Sequence, residues 1–398
     1  MIRLLNLGPA KHEEGVICIA NQRIPNVCRI AGAACCGAIR NEIFRWHQLG
    51  AKDLLIPTSF NYVQEERKMA QEQNREGCKE LIFINPVFKE MIWGGNRLRT
   101  DWGYEIPGDD TGECWAVSAH PNGDCTVKGG SFDGKKLSKL WEEEPEIFGG
   151  NTAGKFPLLI KIIDAKADLS IQVHPDDAYA AAHENGSLGK TECWYILDCE
   201  ENAHLVVGHN ARTREELKEM IGQKRWKELI REVPVHKGDF IQIDPGTVHA
   251  IKGGIQLLET QQNSDITYRV YDYDRLQNGK PRQLHVEKSI DVIKVPAASV
   301  EDSIHSMDKL PVNALNEMIS CDYYKVFKLT VEQEYTLQQS FNFLIVSVID
   351  GSAKLTGKEN GYEAQIKKGD HFLIPSGFGE IELCGNATLI ASTPVQKG

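Results

Sequence analysis

Four residues of this 398-residue chain carry side chains that could bind a transition metal together. Gln172 and His174 lie two residues apart, whereas Glu192 and His249 lie further along the chain. Because side chains of an extended strand alternate between its faces, Gln172 and His174 should point the same way, together with Ser170. Two imidazoles, a carboxylate and an amide oxygen suit a borderline metal such as zinc. The residue types therefore predict a metal site that leaves room for water or a substrate.

Short β-strands are the elements that must position these residues. From residue 81 onward, runs of β-branched and aromatic residues alternate with Gly, Asn and Asp, a pattern typical of strands joined by turns. The predicted strands include 81–84, 114–118, 158–163, 169–173, 193–197, 203–207 and 240–243.

One region departs from this pattern and favours a helix. Thr213, with Glu216 three residues later, has the form of a capping box, and apolar residues then recur at helical spacing as far as Ile230. These apolar positions are best interpreted as the buried face of a helical insertion near residues 212–232. A second, shorter helix is predicted around residues 136–144.

The chain contains an internal repeat that favours two related β-barrels. Residues 235–249 and 366–380 each contain Gly-Asp, a buried strand and a proline–glycine turn, which is Pro-Gly in the first copy and Pro-x-Gly in the second. Where the first copy ends in His249, the second has Glu380. We therefore expect the second barrel to be degenerate, without a metal, and to serve as structure or as a lid.

Three segments are predicted from these patterns. Residues 1–79 show no sustained strand or helix period, and they are either an appendage without a catalytic role or upstream sequence, with Met69 as the true start. Residues 80–305 are predicted to form the catalytic domain, and residues 306–398 a C-terminal degenerate β domain. Prolines near residues 295–312 mark the boundary.

Composition excludes several classes of protein. The chain is 41% hydrophobic and 25% charged, which is ordinary for a globular protein, and it lacks the run of about 20 apolar residues that spans a membrane. A net charge of −11 argues against a nucleic-acid partner. The eleven cysteines form no Cys-x-x-Cys pair, so we expect reduced thiols and a cytoplasmic location. The expected state is a monomer or a weak homodimer.

The motifs resemble those of a known family. Gly-Asp followed by Pro-Gly-x-x-His is similar to the second half of the cupin signature, and Gln-Val-His-Pro fills the first half in a variant form. From about residue 81 to the end, the chain resembles the type I phosphomannose isomerases, close to the short bacterial form. The stretches that carry this resemblance are 85–95, 156–161, 170–177, 189–192, 245–250 and 262–271.

This resemblance implies a mainly β fold of cupin jelly-roll barrels and one zinc ion per chain. The family's zinc ligands fall on the four residues that ligand chemistry selects: Gln172, His174, Glu192 and His249. Its catalytic arginine falls on Arg269 and its active-site lysine on Lys190. One departure is Ile251, since eukaryotic members have an aromatic residue two positions past the last histidine ligand.

The implied reaction interconverts mannose 6-phosphate and fructose 6-phosphate, and a proton moves between C1 and C2 through a cis-enediol. Arg269 is a poor base because arginine stays protonated, so it is expected to steady the enediolate or orient the sugar. Lys190, Lys161 and Glu259 are all candidates for the base, and the sequence leaves that choice open. Ser170, Lys161 and Lys190 are expected to hold the phosphate.

Other functions remain open at this point. A cupin could act on a different sugar phosphate, bind one without catalysis, or hold iron as an oxygenase. A zinc content would favour the isomerase, and bound iron with oxygen uptake would favour the oxygenase. Asp176 and Asp177, after the His-Pro turn, are expected to form a turn rather than to catalyse.

Overall fold

A computed structural model describes residues 78–150, 152–301, 303–307 and 309–395. The predicted N-terminal extension therefore lies almost entirely outside the described residues.

The mainly β fold is confirmed. The strands are β1 (Ile82–Asn85), β2 (Val87–Gly95), β3 (Thr111–Val117), β4 (Thr126–Val127), β5 (Leu158–Ala165), β6 (Ile171–Val173), β7 (Glu192–Cys199), β8 (His204–His209), β9 (Ile230–Pro234), β10 (Asp239–Ile243), β11 (His249–Ile251), β12 (Ile255–Gln262), β13 (Tyr268–Tyr271), β14 (Leu276–Gln277), β15 (Lys280–Pro281), β16 (Ile304–Ser306), β17 (Asn316–Ser320), β18 (Tyr324–Gln339), β19 (Leu344–Gly357), β20 (Glu363–Lys367), β21 (His371–Ile374) and β22 (Gly379–Pro394).

Short helices connect these strands. The α-helices are α1 (Arg97–Thr100), α2 (Leu137–Glu143), α3 (Asp177–His183), α4 (Arg214–Gly222), α5 (Trp226–Leu229) and α6 (Val286–Val292), and two 3₁₀ turns lie at Gly130–Phe132 and Pro145–Phe148.

Two sheets form the part of the molecule that carries the predicted metal ligands. One has the strand order β16-β10-β7-β12-β5-β2-β3, and the other has the order β13-β6-β11-β8-β9. Both contribute to one apolar core: Trp194 and Leu257 come from the first sheet, and Leu205 and Ile251 from the second. Because inward side chains alternate with outward ones along each strand, the two sheets can present polar residues to the space between them.

A third sheet contains the C-terminal strands in the order β17-β18-β22-β19-β21-β1-β4, with β20 paired to β19. Its strand β1 comes from the beginning of the described chain and pairs with β21 through Ile82 and Leu373. Strand β16 instead joins the sheet of β10. The proposed boundary between the two domains stays a prediction.

The internal repeat has the same local geometry in both copies. Gly238 and Gly369 both have a φ of 91°, a conformation that glycine adopts without strain. The carboxylates that follow them, Asp239 and Asp370, each accept a hydrogen bond from the backbone N–H three residues earlier, at 2.8 and 2.9 Å. The two copies therefore turn into their buried strands in the same way.

Helix α4 begins where the sequence predicts. The Thr213 hydroxyl accepts a hydrogen bond from the Glu216 N–H at 3.2 Å, and the Glu216 carboxylate accepts one from the Arg212 N–H at 2.7 Å. Leu217 and Met220 are buried, as expected for the inner face. The predicted short helix is α2.

Helices α3 and α6 have no counterpart in the sequence prediction. Asp176 caps α3 by accepting a hydrogen bond from the Tyr179 N–H at 2.8 Å, so this residue is a helix cap rather than a simple turn former. Asp177 accepts from the Gly189 N–H at 2.9 Å and from the Gln262 amide at 3.0 Å. These bonds tie α3 to the segment that leads into β7.

Two further sequence predictions concern the state of the cysteines and membrane-spanning helices. Within the described ranges, the cysteines are free thiols: Cys78, Cys114, Cys125, Cys193, Cys199, Cys321 and Cys384. In the same part of the chain, no helix has the length and apolar character needed to cross a membrane.

A buried histidine lies in the C-terminal sheet. His371 is 1% exposed, and its ring nitrogens contact the Tyr104 hydroxyl at 2.8 Å and the Ser347 hydroxyl at 2.9 Å. Burial lowers the pKa of His371 to about 3. Below the ordinary histidine pKa of about 6.5, the unfolded chain therefore binds a proton that the folded chain does not, and stability falls as pH falls toward 3.

The unfolding free energy should fall between about pH 7 and about pH 5, because the unfolded chain gains a proton on His371. In His371→Gln we expect this fall to be smaller by about 2 kcal/mol. Urea unfolding at the two pH values measures this difference. His236→Gln is the control because the His236 side chain is 80% exposed. An unchanged pH dependence in His371→Gln would contradict the burial argument.

Candidate metal centre

Two rows of polar side chains cross the facing sheets at the centre of the predicted site. In the smaller sheet, Arg269 on β13 lies opposite Gln172 on β6, which lies opposite His249 on β11. In the larger sheet, Lys161 on β5 lies opposite Glu259 on β12, which lies opposite Trp194 on β7. Glu192, at the start of β7, and His174, just after β6, complete the site.

The two histidines are held in one tautomer by the backbone. The Nδ1 atom of His174 lies 2.7 Å from the Ile266 carbonyl oxygen, and the Nδ1 atom of His249 lies 2.9 Å from the Thr247 carbonyl oxygen. Because a carbonyl oxygen accepts hydrogen bonds, each Nδ1 must carry the proton. Each Nε2 is then an acceptor, and these two Nε2 atoms are 3.1 Å apart.

Both imidazoles are neutral at physiological pH. Burial, followed by the charge of Lys190 and the neighbouring His249, lowers the pKa of His174 well below its usual value. Burial also lowers the pKa of His249 to about 4. The Lys190 ammonium and the Gln172 amide nitrogen each lie 3.2 Å from one of these Nε2 atoms, so the lone pairs face donors as well as each other. Neutral imidazole is also the form that binds metals.

Glu192 is the carboxyl group at this point. Burial, together with the neighbouring charge of Glu259, raises its pKa, so a cation bound beside it would keep it ionised. Its carboxylate oxygens lie 3.4 Å from Nε2 of His249 and 3.5 Å from Nε2 of His174. The carboxylate is fully buried, and its Oε1 has no hydrogen-bond partner in the described structure. One ligand atom from each of His174, Glu192 and His249 falls within 4.8 Å of the others. This donor set fits a divalent cation such as zinc.

Gln172 lies beside the same point. Its amide nitrogen is 3.2 Å from Nε2 of His249, and its amide oxygen is 3.5 Å from the Ser170 hydroxyl. Only the amide oxygen can bind a cation, so the ligand role requires the opposite orientation of the terminal amide. The two orientations differ by a rotation about one bond.

Lys190 places a positive charge among these ligands. Its ammonium group hydrogen-bonds to Glu192 and lies 3.2 Å from Nε2 of His174 and 3.5 Å from Oε1 of Glu259. The ammonium thus contacts both the predicted metal ligands and the second carboxylate of the site.

The charges of Lys161 and Glu259 stabilise each other. Their side chains lie 3.2 Å apart and are 7% and 3% exposed. Burial opposes the ionised form of Glu259, but the positive charges of Lys161 and Lys190 outweigh burial and hold its pKa below the usual range. Burial likewise opposes the charge of Lys161, and Glu259 and Glu113 outweigh it, so the pKa of Lys161 is raised. Both groups therefore stay charged at neutral pH.

A cavity opens from these residues to Arg269 on the smaller sheet. Arg269 is half-buried, and its Nε atom has no hydrogen-bond partner among the described residues. Ser170, Gln172, Lys190 and Glu259 also line the cavity. Every side chain that the sequence selected thus faces this cavity or the metal ligands behind it.

Sequence reasoning missed two charged residues of this cavity. Arg282 lines it and binds the Asp272 carboxylate through two nitrogens at 2.7 and 2.9 Å. Glu113 lies 4.0 Å from the Lys161 ammonium. Neither belongs to a motif, and no local pattern marks them, because the distant strand pairing brings them to the site. Ile251 also lines the cavity.

Comparisons with known proteins identify the family that this chain resembles. The family profile for the phosphomannose isomerase type I catalytic domain matches residues 81–195, and the profile for the mannose-6-phosphate isomerase cupin domain matches residues 314–394. The chain is 50% identical over 314 residues to the mannose-6-phosphate isomerase ManA of Bacillus subtilis, which covers 79% of this chain and 98% of that protein. It is 44% identical over 315 residues to the mannose-6-phosphate isomerase of Streptococcus mutans, with 79% and 98% covered.

Solved structures show the same fold. The crystal structure of the mannose 6-phosphate isomerase from Bacillus subtilis superposes with a TM-score of 0.72 at 45% identity and covers 79% of this chain and 99% of that one. A zinc-bound mannose 6-phosphate isomerase superposes with a TM-score of 0.65 at 16% identity and covers 79% and 100%. At that lower identity the similarity concerns the fold alone.

We expect His249→Ala to abolish stoichiometric metal binding because it removes one imidazole and leaves the Glu192 carboxylate with fewer partners. Metal content after zinc loading and desalting, read by mass spectrometry, measures this loss. His204→Ala is the control, since His204 lies on β8 outside the cluster. Full zinc content in His249→Ala would show that the metal binds elsewhere.

Proposed function

This chain belongs to the type I phosphomannose isomerase family, and we propose that it interconverts mannose 6-phosphate and fructose 6-phosphate with one zinc ion bound by Gln172, His174, Glu192 and His249. The observation that supports the metal is the pair of neutral imidazoles whose Nε2 atoms face each other at 3.1 Å beside a buried carboxylate. The substrate follows from 50% identity to an isomerase across 79% of this chain.

The reaction requires a proton to move between C1 and C2 of the opened sugar through a cis-enediol. Zinc, when bound, supplies a Lewis acid that polarises the sugar oxygens and adds no redox chemistry. The protein must then supply a base within reach of the carbon, positive charge near the developing oxyanion, and an anchor for the phosphate.

Glu259 is the group that we propose to accept the proton. It is ionised, and it lines the cavity at the end where the metal ligands lie. Lys161 and Lys190 hold its pKa down in the free protein. An anionic substrate that pairs with either lysine would withdraw part of that positive charge and so increase the basicity of Glu259.

We infer that Lys161 is not the base. Its raised pKa keeps the ammonium charged, so it stabilises negative charge rather than accepting a proton. Lys190 contacts Glu259 and Glu192, and we propose that it carries the positive charge nearest to the sugar oxygens.

Arg269 is proposed to bind the anionic part of the substrate. It stays protonated and its Nε is free of described hydrogen-bond partners, whereas the neighbouring Arg282 is held by Asp272. Ser170, on the same face of the cavity, can donate a hydroxyl hydrogen bond to the same group. Arg269 also lies opposite Gln172 in the sheet. One row of paired residues therefore contains both a proposed metal ligand and the proposed substrate-binding arginine.

The same site favours the isomerase over the other cupin functions. An iron oxygenase needs a face of two histidines and one carboxylate with open positions for oxygen. Here a fourth donor, Gln172, lies beside the cluster, and Lys161, Lys190 and Arg269 surround it with positive charge, which suits an anionic sugar. The cytoplasmic location, the domain boundary and the monomeric or weakly dimeric state stay predictions.

A coupled assay tests the proposed function. Mannose 6-phosphate is supplied and fructose 6-phosphate is measured before chelation, after chelation, and after zinc is returned. We expect turnover to disappear with the chelator and to return with zinc, because the bound metal is the proposed Lewis acid of the reaction. Undiminished turnover in fully metal-depleted protein would contradict the zinc requirement, and no turnover with zinc bound would contradict the substrate.

The role of Glu259 is tested by a pair of variants. We expect Glu259→Gln to retain zinc and to lower kcat by about 10²- to 10⁴-fold, since it removes the proton acceptor. Glu113→Gln is the matched control, because Glu113 also faces Lys161 but lies 4.0 Å from it on β3. If both variants lost the same fraction of activity, Glu259 would act only by holding the charge of Lys161.

A further inference from the structure

We propose that a second cavity, between the sheet of β12 and the C-terminal sheet, binds a small phosphate-bearing anion. This inter-sheet cavity has a volume of about 380 Å³. Its walls carry three lysines, two aromatic rings and a buried amide: Lys237, Lys328, Lys368, Trp102, Tyr195 and Gln256.

The inter-sheet cavity lies on the opposite face of β12 from the metal centre. Leu257 belongs to the core between the two facing sheets, whereas Leu258 belongs to the core that the C-terminal strands share. Glu259 therefore points to the metal centre and Gln256 points away from it, as alternation along a strand requires. The inference rests on this geometry and does not depend on the proposed isomerase activity.

Positive charge dominates the inter-sheet cavity. Three lysines face one carboxylate, Asp350, among the residues that line it. The Lys328 ammonium lies 5.2 Å from the centre of the Tyr195 ring, and the Lys368 ammonium lies 4.7 Å from the centre of the Trp102 ring. Cation–π contacts hold both ammonium groups at the cavity wall without neutralising their charge.

An unsatisfied donor also lies at this wall. The Trp102 indole N–H donates to the Gln256 amide oxygen at 2.9 Å, which fixes the orientation of the amide, since the reverse orientation would place two donors together. The amide nitrogen of Gln256 is left without a hydrogen-bond partner among the described residues, although the side chain is only 2% exposed. Buried donors are almost always satisfied, so an acceptor brought to this wall would satisfy a donor that the described residues leave unpaired.

A phosphate group meets these requirements. It offers several acceptor oxygens and a negative charge to a wall with an amide donor and ammonium groups. The hydroxyls of Thr330 and Thr388 line the same space and can donate as well. A cavity of about 380 Å³ accommodates inorganic phosphate or the phosphate ester of a small polyol.

A bound anion would contact both parts of the fold. Lys328 and Lys368 belong to the C-terminal sheet side, whereas Tyr195 and Gln256 belong to β7 and β12. Strand β7 also carries Glu192 and β12 carries Glu259, so the occupant would touch the outer face of the strands that build the metal centre.

Lysine acylation mapped by mass spectrometry tests this site on the zinc-loaded full chain. The reagent is kept limiting, and inorganic phosphate is compared with potassium chloride at equal ionic strength. We expect saturating phosphate to slow the acylation of Lys328 and Lys368 by about tenfold, because bound ammonium groups are shielded. Lys325, on the same strand as Lys328 and paired with Glu317 at 3.6 Å, should react at an unchanged rate.

A second arm replaces inorganic phosphate with glycerol 2-phosphate. Protection by inorganic phosphate assigns the site to the free anion, and protection by the ester alone assigns it to a phosphorylated metabolite. In Lys368→Gln, about tenfold more anion should be needed to protect Lys328, whereas Lys325→Gln should leave the protection unchanged.

Two results would overturn the proposal. One is the absence of protection at Lys328 and Lys368 with either anion. The other is equal protection of Lys325, which would show a general ionic effect. Because the readout is the reactivity of named lysines rather than turnover, neither result bears on the isomerase activity.

Discussion

The lone pairs of two imidazoles impose the constraint on which the rest of the site depends. Backbone carbonyls of Ile266 and Thr247 fix the tautomers of His174 and His249, so both Nε2 atoms face the same point as acceptors. These acceptors lie 3.1 Å apart in a buried space, where one divalent cation could bind both lone pairs. The Glu192 carboxyl group is buried beside them with a raised pKa, and a divalent ion at this point would hold it in the charged form that binds the ion.

The fold meets this constraint with two facing sheets. One sheet presents a row of Arg269, Gln172 and His249, and the other presents a row of Lys161, Glu259 and Trp194. Metal ligands and substrate-binding groups therefore come from neighbouring strands, whose spacing is fixed by backbone hydrogen bonds. Such positions change little when substrate binds, and this is what a preorganised electrostatic site needs.

Much of this arrangement could be predicted from the sequence. The features that could not be predicted have physical causes. Side-chain alternation along β6 predicts that Gln172 and His174 share a face. The repeat around Gly238 and Gly369 predicts two similar turns. Both predictions rest on local patterns of residues. The pairing of β1 with β21 and the approach of Arg282 to the cavity depend on contacts between distant segments, which no local pattern encodes. The sequence pattern does not predict helix α3, because its cap, Asp176, follows a His-Pro turn and favours a turn equally well.

Anomalous scattering at the zinc edge, from crystals of the full chain loaded with zinc, tests the central claim most directly. The expected result is one peak per chain, about 2.0–2.2 Å from Nε2 of both His174 and His249 and from a Glu192 oxygen, with the Gln172 amide oxygen turned toward it. Zinc bound stoichiometrically at another position, with these side chains still in mutual contact, would contradict it.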